Sequence, residues 1–146
     1  MASFSKVLLA LDLESCSGSL IDRVRQTCLD ESGVLHVVHV IRKGMHNVTE
    51  LHGEQSFAPH ARRETDHLLL RLRDLLCSHD LNIPSANLHL RYGEPAAEIK
   101  RLAEELQVDL LVVGSQTKGE QWLPLPGPTT NCVLQGSTAD VMAIRV

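Results

Sequence analysis

The order of apolar and polar residues divides the chain into segments of strand length and segments of helix length. The clearest strand lies at residues 108–115, where five of the first six residues are apolar and a glycine follows them. A run without alternation is typical of a strand buried on both faces of a parallel sheet. Similar runs predict strands at residues 6–12, 34–41 and 139–146, and the alternating residues 86–92 predict a strand with one wetter face.

Apolar residues three or four positions apart predict helices between these strands. Ser19 and Asp22 have the spacing of a capping box, so the first helix is expected to run from about residue 18 to residue 30 and to end at Ser32-Gly33. Pro59 suits the first turn of a long helix that reaches about residue 79.

Proline also marks the start of two later helices. Pro95 begins one whose apolar stripe consists of Ile99, Leu102, Ala103 and Leu106. Pro128 begins a short helix at residues 129–135. Residues 42–58 have no clear period and predict a long loop.

Strands and helices therefore alternate along the whole chain. This order favours a single α/β domain, residues 1–146, with a five-stranded, mostly parallel open sheet and helices on both faces, a Rossmann-like arrangement. No helix follows the last strand, so at a sheet edge it leaves main-chain groups unpaired. A two-fold partner pairing the same strand protects that edge, which predicts a homodimer joined through residues 139–146.

Charge and composition narrow the choice of partners. The formal net charge of −4 gives no global positive field, so we expect no binding to nucleic acid. No apolar run approaches the roughly 20 residues that span a bilayer, and the N-terminus has no pattern of a secretion signal. We therefore expect a cytoplasmic protein without membrane contact, whose widely spaced cysteines are reduced thiols.

The carboxyl ends of the strands are the expected place for a ligand, as in other open α/β sheets. Gly114 comes at the end of the most buried strand, where a residue without a side chain lets a ligand approach the backbone. Asp12 ends the first strand, where its carboxylate is suited to hydrogen-bond with the backbone of a turn.

The chain has eight histidines, which raises the question of whether some of them bind a metal ion. His60, Glu64 and His67 would share one face of the long helix, but ligands seven residues apart lie about 10 Å apart along the axis, too far for one metal ion. A solvated helix face is favoured. His36 and His39, in the second strand, are expected to be hydrogen-bonded core residues rather than bases.

Taken in order, these segments resemble the universal stress protein family. The similarity is carried by residues 7–12 with Ser15, His39-Val40, Gly93-Glu94-Pro95 before Glu98-Ile99, residues 109–115 and residues 140–146. Each segment alone is a weak match, whereas their order and intervals together are specific. Members of that family are cytoplasmic stress-response proteins, commonly homodimers joined through the last strand, and only some of them bind ATP.

The resemblance also implies a set of ligand contacts. Asp12 would face the ribose or a metal, and the backbone of Val40 would contact adenine. The cofactor-binding candidates are Ala10, Asp12, Val40, Gly114, Ser115, Gly127 and Thr129.

The phosphate-binding pattern of the ATP-binding members is only partly present. That pattern consists of glycine, two residues, glycine, nine residues, glycine, and then serine or threonine. Counted from Gly114, the second position is Thr117, the third is Gly127, and Pro128 stands where a hydroxyl is required. Thr117 makes a positive φ costly, and Pro128 has neither an amide hydrogen nor a hydroxyl. Thr129 still offers both groups.

The sequence therefore predicts a non-enzymatic, dimeric stress-response protein that acts by binding a partner or a small molecule. The alternative is an ATP-binding switch, with or without slow hydrolysis, in which Thr129 replaces the missing hydroxyl. A small enzyme that uses the same crevice is the third class. Neither a Ser-His-Asp order nor paired catalytic carboxylates support it.

Overall fold

The computed structural model describes residues 4–13, 18–27, 29–41, 58–115 and 139–145. Within these ranges five strands and three helices alternate along the chain. The strands are β1 Phe4–Ala10, β2 Leu29–Ile41, β3 Leu88–Tyr92, β4 Leu110–Ser115 and β5 Asp140–Arg145. The helices are α1 Gly18–Thr27, α2 Ala58–Ser78 and α3 Pro95–Leu106, and a short 3-10 turn at Ser85–Asn87 precedes β3.

The five strands form one sheet in the order β3-β2-β1-β4-β5, and all four neighbouring pairs are parallel. The central strand β1 pairs on both sides, so that Val7 lies opposite Leu35 of β2 and Leu110 of β4. The predicted fold class, an α/β domain with an open parallel sheet, is confirmed. The two edge strands are β3 and β5.

The core consists of two apolar layers, one on each face of the sheet. Val7 and Leu9 of β1 pack against α1 and α2, and Leu8 packs on the other side against α3. Val7, Leu8 and Leu9 have no exposed surface at all. In β4, residues 110–113 are buried as well, which confirms the prediction that this strand is covered on both faces.

The boundary between the first helix and the second strand differs from the prediction. The helix was expected to continue to residue 30, but α1 ends at Thr27 and β2 begins at Leu29. Leu29 pairs with Phe4, and the next pair joins Lys6 to Val34, so β2 holds extra residues between the two pairs. Pairing with the start of β1 overrides the local helical pattern here, as tertiary contacts commonly do.

The capping box predicted for α1 is also wrong. Ser19 is the second residue of the helix and therefore cannot cap it. The Asp22 carboxylate instead lies 3.0 Å from His79 Nδ1, which follows α2, and so joins the two helices on this face.

Some strands end or begin inside their predicted bounds, and β4 begins at Leu110 rather than at residue 108. The first strand ends at Ala10 rather than at residue 12, and β3 begins at Leu88 because the 3-10 turn occupies the preceding residues. Asn87 Nδ2 in that turn donates to the Leu35 carbonyl oxygen at 3.2 Å. A side chain thus makes the contact with β2 that a strand backbone would otherwise make.

Proline-initiated helices are confirmed where they are described. Pro59 is the second residue of α2 and Pro95 the first residue of α3. Of the loop predicted at residues 42–58, residues 42–57 lie outside the described residues, and Ala58 is instead the first residue of α2. The predicted helix at residues 129–135 also lies outside them.

The amino ends of β1 and β4 are joined by one carboxylate. Asp109 accepts hydrogen bonds from the hydroxyl and the backbone amide of Ser5 and from the amide of Lys6. The hydroxyl bond from Ser5 is the main cause that holds the pKa of Asp109 below its usual value. The Asp109 amide donates to the Lys6 carbonyl oxygen at 2.8 Å, so Asp109 fixes the register between β1 and β4 at the start of the ladder.

Two histidines join β2 to the edge strand β3 on the face that α3 covers. His36 Nδ1 and His89 Nε2 are 3.0 Å apart, the ring centroids are 5.3 Å apart and the planes differ by 29°. The rings thus meet edge to edge, which is the geometry of an in-line N–H···N hydrogen bond rather than of stacking. One nitrogen must donate and the other accept, as predicted for a hydrogen-bonded core histidine.

The surroundings of this pair favour the neutral form. Burial, followed by the charge of Lys6, lowers the pKa of His36 from its ordinary value of 6.5. Burial also lowers the pKa of His89, with further lowering by His36 and Arg91, whereas Glu105 acts in the opposite direction. Glu105 is a residue of α3 whose Oε2 lies 2.8 Å from Arg91 Nη2.

The lowered pKa values predict a pH-dependent stability. Between the folded pKa values and the unfolded value of 6.5, the unfolded chain binds more protons. The free energy of unfolding is therefore expected to be highest above pH 6.5 and to fall as the pH drops through that window. Urea unfolding from about pH 7.5 to about pH 5 measures this slope.

A double variant is the control for that slope. His36→Leu with His89→Leu removes both titrating groups, and the decline in stability below pH 6.5 is expected to become shallower than in the natural chain. Equal slopes in the two proteins would show that other groups cause the pH dependence.

Gly93 makes the turn from β3 into α3. Its φ is +144°, a conformation that residues with a side chain rarely adopt, and its amide donates to the Ile41 carbonyl oxygen at 3.0 Å. A Cβ at this position would lie 3.2 Å from Glu98 Cγ. Backbone strain and a close contact therefore both oppose a side chain here.

Gly93→Ala is expected to lower the free energy of unfolding by about 1–3 kcal/mol, mainly through backbone strain. Chemical unfolding measures the change. Adding Glu98→Ala removes the contacting side chain but leaves φ positive, so stability is not expected to return. Full recovery in the double variant would assign the cost to the contact instead.

Candidate functional site

The carboxyl ends of β1, β2 and β4 lie side by side at the centre of the sheet. From β1 the chain proceeds to β2 and β3 on one side and later to β4 and β5 on the other. Such a point, where the strand order reverses, leaves a crevice in which open α/β sheets bind their ligands. The structure thus provides the place that the sequence predicted for a site.

On the β4 side, the backbone extends beyond the end of β1. Ala10, the last residue of β1, lies opposite Val113. β4 continues for two more residues, Gly114 and Ser115, which pair with β5. Gly114 is therefore next to the end of β1 and has no side chain that would keep a ligand from the backbone.

On the β2 side, the site has an apolar wall. Ala10 and Val40 are both half-buried and pack against the same apolar cluster, on the face of the sheet that α3 covers. Small and branched apolar side chains on neighbouring strands provide the kind of surface on which a planar base packs. The structure thus brings two of the predicted ligand residues together.

Asp12 supplies the charge at this edge. It lies two residues beyond β1 and is exposed. The preceding amide, that of Leu11, donates to the Val38 carbonyl oxygen at 2.9 Å and continues the β1–β2 pairing by one hydrogen bond. The carboxylate is therefore carried by backbone that is still tied to the sheet.

His39 holds the segment that carries Asp12, a contact that the sequence did not predict. Its Nδ1 lies 3.1 Å from the Leu11 carbonyl oxygen and 3.4 Å from the Leu13 amide nitrogen. The residue is 8% exposed and precedes Val40 in β2. It is a hydrogen-bonded core histidine, as expected. Its sequence position, one residue before a predicted ligand contact at a strand end, was the only available clue.

The structure therefore places Ala10, Asp12, Val40, Gly114 and Ser115 along one edge of the sheet. Gly127 and Thr129, together with the departures at Thr117 and Pro128, lie outside the described residues. The phosphate half of the predicted site thus stays a prediction from the sequence.

One groove of about 330 Å³ lies away from this edge, where α2 faces the turn before β3. Leu70, on its rim, is 57% exposed. The groove contains no residue of the carboxyl edge, and its lining consists of Asp66, Leu69, Leu70, Arg73, Ser85 and Leu88.

The described ranges contain neither a metal-binding cluster nor a membrane-spanning helix. Within them, no three histidine, cysteine or acidic side chains converge in a way that would hold a metal ion. None of the helices described in those ranges is both long and apolar enough to cross a bilayer. Cys77 is a free thiol at the surface.

The sequence is similar to universal stress proteins over nearly its full length. The model of the universal stress protein family matches residues 3–145. The chain is 32% identical over 144 residues to universal stress protein A homolog 1 of Coxiella burnetii, and the alignment covers 97% of this chain and 96% of that protein.

Solved structures of other proteins share the fold of this chain over nearly its full length. The protein MJ0577 superposes with a TM-score of 0.72 at 20% identity, covering 99% of this chain and 98% of that one. A universal stress protein solved in complex with cAMP superposes with a TM-score of 0.62 at 20% identity, with coverage of 99% and 98%. At these identities the similarity establishes the shared fold.

Proposed function

Because this chain belongs to the universal stress protein family, we propose that it is a cytoplasmic, non-enzymatic stress-response protein, one domain over residues 1–146, that acts by binding a small molecule. The proposed site is the carboxyl edge of β1, β2 and β4. The observation that carries the proposal is the convergence of an exposed carboxylate, a glycine backbone and an apolar wall at the point where the strand order reverses.

An adenine nucleotide is the ligand class that these groups fit. The half-buried surface of Ala10 and Val40 suits a planar base, and the Asp12 carboxylate suits the hydroxyls of a ribose or a bound metal ion. Gly114 allows a phosphate to approach the backbone. A protein of the same fold has been solved with cAMP, which supports this choice of ligand.

The histidine contacts favour binding over catalysis. His36 bonds to His89, His79 lies against Asp22, and His39 contacts backbone atoms. These imidazoles serve to connect elements of the fold. A general base must instead reach the proton that it removes.

Titration calorimetry with Mg-ATP and with cAMP tests the ligand, on protein first checked for nucleotide carried over from purification. At least one of the two is expected to bind with a Kd below about 100 μM. Asp12→Asn removes the charge of the carboxylate but keeps its shape, so the Kd is expected to rise by about tenfold, as loss of one charge-assisted hydrogen bond implies.

Asp80→Asn is the matched control for this titration. Asp80 is an exposed acidic residue in the turn after α2, with a φ of +60° that asparagine tolerates well. Its replacement is expected to leave the Kd unchanged. A nucleotide-free sample that binds neither compound would leave this ligand class without support, as would equal effects of the two substitutions.

We also propose that the protein is a homodimer joined through β5, as residues 139–146 predict. The strand is at the edge of the sheet, so one side of its backbone faces away from β4. Val141 and Met142 are half-buried and Ala143 is exposed, whereas Ile144 is only 7% exposed and belongs to the core. Pairing of two such strands would cover both the backbone and these side chains.

Ala143→Lys is expected to weaken the dimer, because a lysine on an edge strand opposes pairing with another strand. Ala97→Lys introduces the same change at an exposed position of α3 and serves as the control. Sedimentation measures both. Dissociation of the Ala143 variant alone supports the β5 interface, and a variant that remains dimeric at low concentration places the interface elsewhere.

A further inference from the structure

We infer that His39 is the positioning residue of the carboxyl edge: its Nδ1 fixes the backbone beside Asp12 and so places that carboxylate for a ligand. The ligand part of the inference rests on the proposed function. The positioning part rests on contacts between described residues alone, and amide hydrogen exchange without ligand tests it.

The regular pairing between β1 and β2 ends just before Asp12. The last register pair is Ala10 with Val38, and one further backbone hydrogen bond joins the Leu11 amide to the Val38 carbonyl oxygen at 2.9 Å. Beyond this bond the contact between the two segments passes through a side chain. His39 Nδ1 lies 3.1 Å from the Leu11 carbonyl oxygen, so the imidazole continues the connection where the strand has ended.

The two contacts of Nδ1 exclude each other as hydrogen bonds. The Leu11 carbonyl oxygen only accepts, so it requires a proton on Nδ1, whereas the Leu13 amide only donates, so it requires a lone pair there. A neutral imidazole nitrogen offers one or the other. We assign the proton to Nδ1, because the contact with the Leu11 oxygen is the shorter of the two, at 3.1 Å against 3.4 Å.

Because His39 is buried, its hydrogen bond limits how far the backbone at Leu11 can move. His39 is 8% exposed and lies in β2 on the same face as Leu35 and Val37, which pack against α1 and α2. An imidazole held among apolar side chains has little freedom to follow a moving loop. The segment that carries Asp12 is therefore tied at Leu11 to the rigid core rather than to another loop.

Two substitutions of nearly equal shape separate the hydrogen bond from packing. In His39→Asn an amide nitrogen takes the place of Nδ1 and donates to the Leu11 oxygen, whereas His39→Leu has the same branching and no polar atom. Both are compared with the natural chain by amide hydrogen exchange without ligand and by titration with Mg-ATP and cAMP. Thermal unfolding reports whether each variant remains folded.

The Leu11 amide is the readout that needs no ligand. In His39→Leu its exchange is expected to become about tenfold faster, because the adjacent carbonyl is no longer held, while the amides of β4 stay protected as before. His39→Asn is expected to exchange like the natural chain. The nucleotide Kd is expected to rise about tenfold in the leucine variant and to stay within about threefold in the asparagine variant.

The outcomes separate the two proposals. If exchange becomes faster in the leucine variant only, positioning by His39 is supported. If the natural chain also binds neither nucleotide, the proposed ligand is rejected while the positioning role stands. Unchanged exchange in the leucine variant, or equal acceleration in both variants, overturns the positioning role. If the leucine variant does not fold, His39→Gln takes its place. The glutamine amide nitrogen lies one bond further from the backbone than Nδ1 and therefore does not occupy the position from which Nδ1 donates to Leu11.

Discussion

The double pairing of β1 is the constraint on which the rest of the structure depends. Its residues at positions 7–9 are fully buried, and both of its edges form parallel hydrogen-bonded ladders, with β2 on one side and β4 on the other. A shift of one residue in either ladder would exchange the side chains that face α1 and α2 with those that face α3, and so disrupt the packing of both apolar layers. The carboxyl ends of the three strands are thereby held next to one another, and together they form the edge that carries the candidate site.

Side chains hold β1 at both of its ends. At the amino end Asp109 accepts three hydrogen bonds from Ser5 and Lys6, and at the carboxyl end His39 contacts the backbone of Leu11. Both contacts come from neighbouring strands or from the residue just before one. A parallel ladder leaves polar backbone groups at its ends, and these side chains satisfy some of them where the ladder stops.

Much of the fold follows from periodicity, and the errors have identifiable causes. Uninterrupted apolar runs predict β1 and β4, because a strand that is buried on both faces is apolar at successive positions. A proline followed by an apolar stripe predicts α3, because a helix that is buried on one face is apolar at every third or fourth position. The end of α1 was wrong because the pairing of Leu29 with Phe4 depends on a residue 25 positions away in the chain. Ser19 was wrong as a cap because the spacing of a capping box also occurs inside helices.

For the candidate site, the sequence predicts which strand ends lie together but not which side chains contact them. The rule that ligands bind beyond the carboxyl ends of strands places Gly114, and the family resemblance adds Ala10, Asp12 and Val40. The contact between His39 and the residues flanking Asp12 depends on where a side chain of β2 meets the chain after β1. No period or motif specifies that meeting, since it follows from the register between the two strands.

For the adenine nucleotide proposed as the ligand, the described edge offers groups that suit the nucleoside half rather than the phosphate half. The apolar wall and the Asp12 carboxylate suit a base and a ribose, whereas the amides that bind phosphate are expected from the segment after Gly114. In that segment Pro128 has no amide hydrogen, and Thr117 stands where the family pattern has glycine. Each missing donor costs a triphosphate more than a single phosphate, because a triphosphate has more charged oxygens to satisfy. The ratio of ATP affinity to cAMP affinity therefore reports on this segment, whereas binding as such reports on the edge that β1, β2 and β4 share.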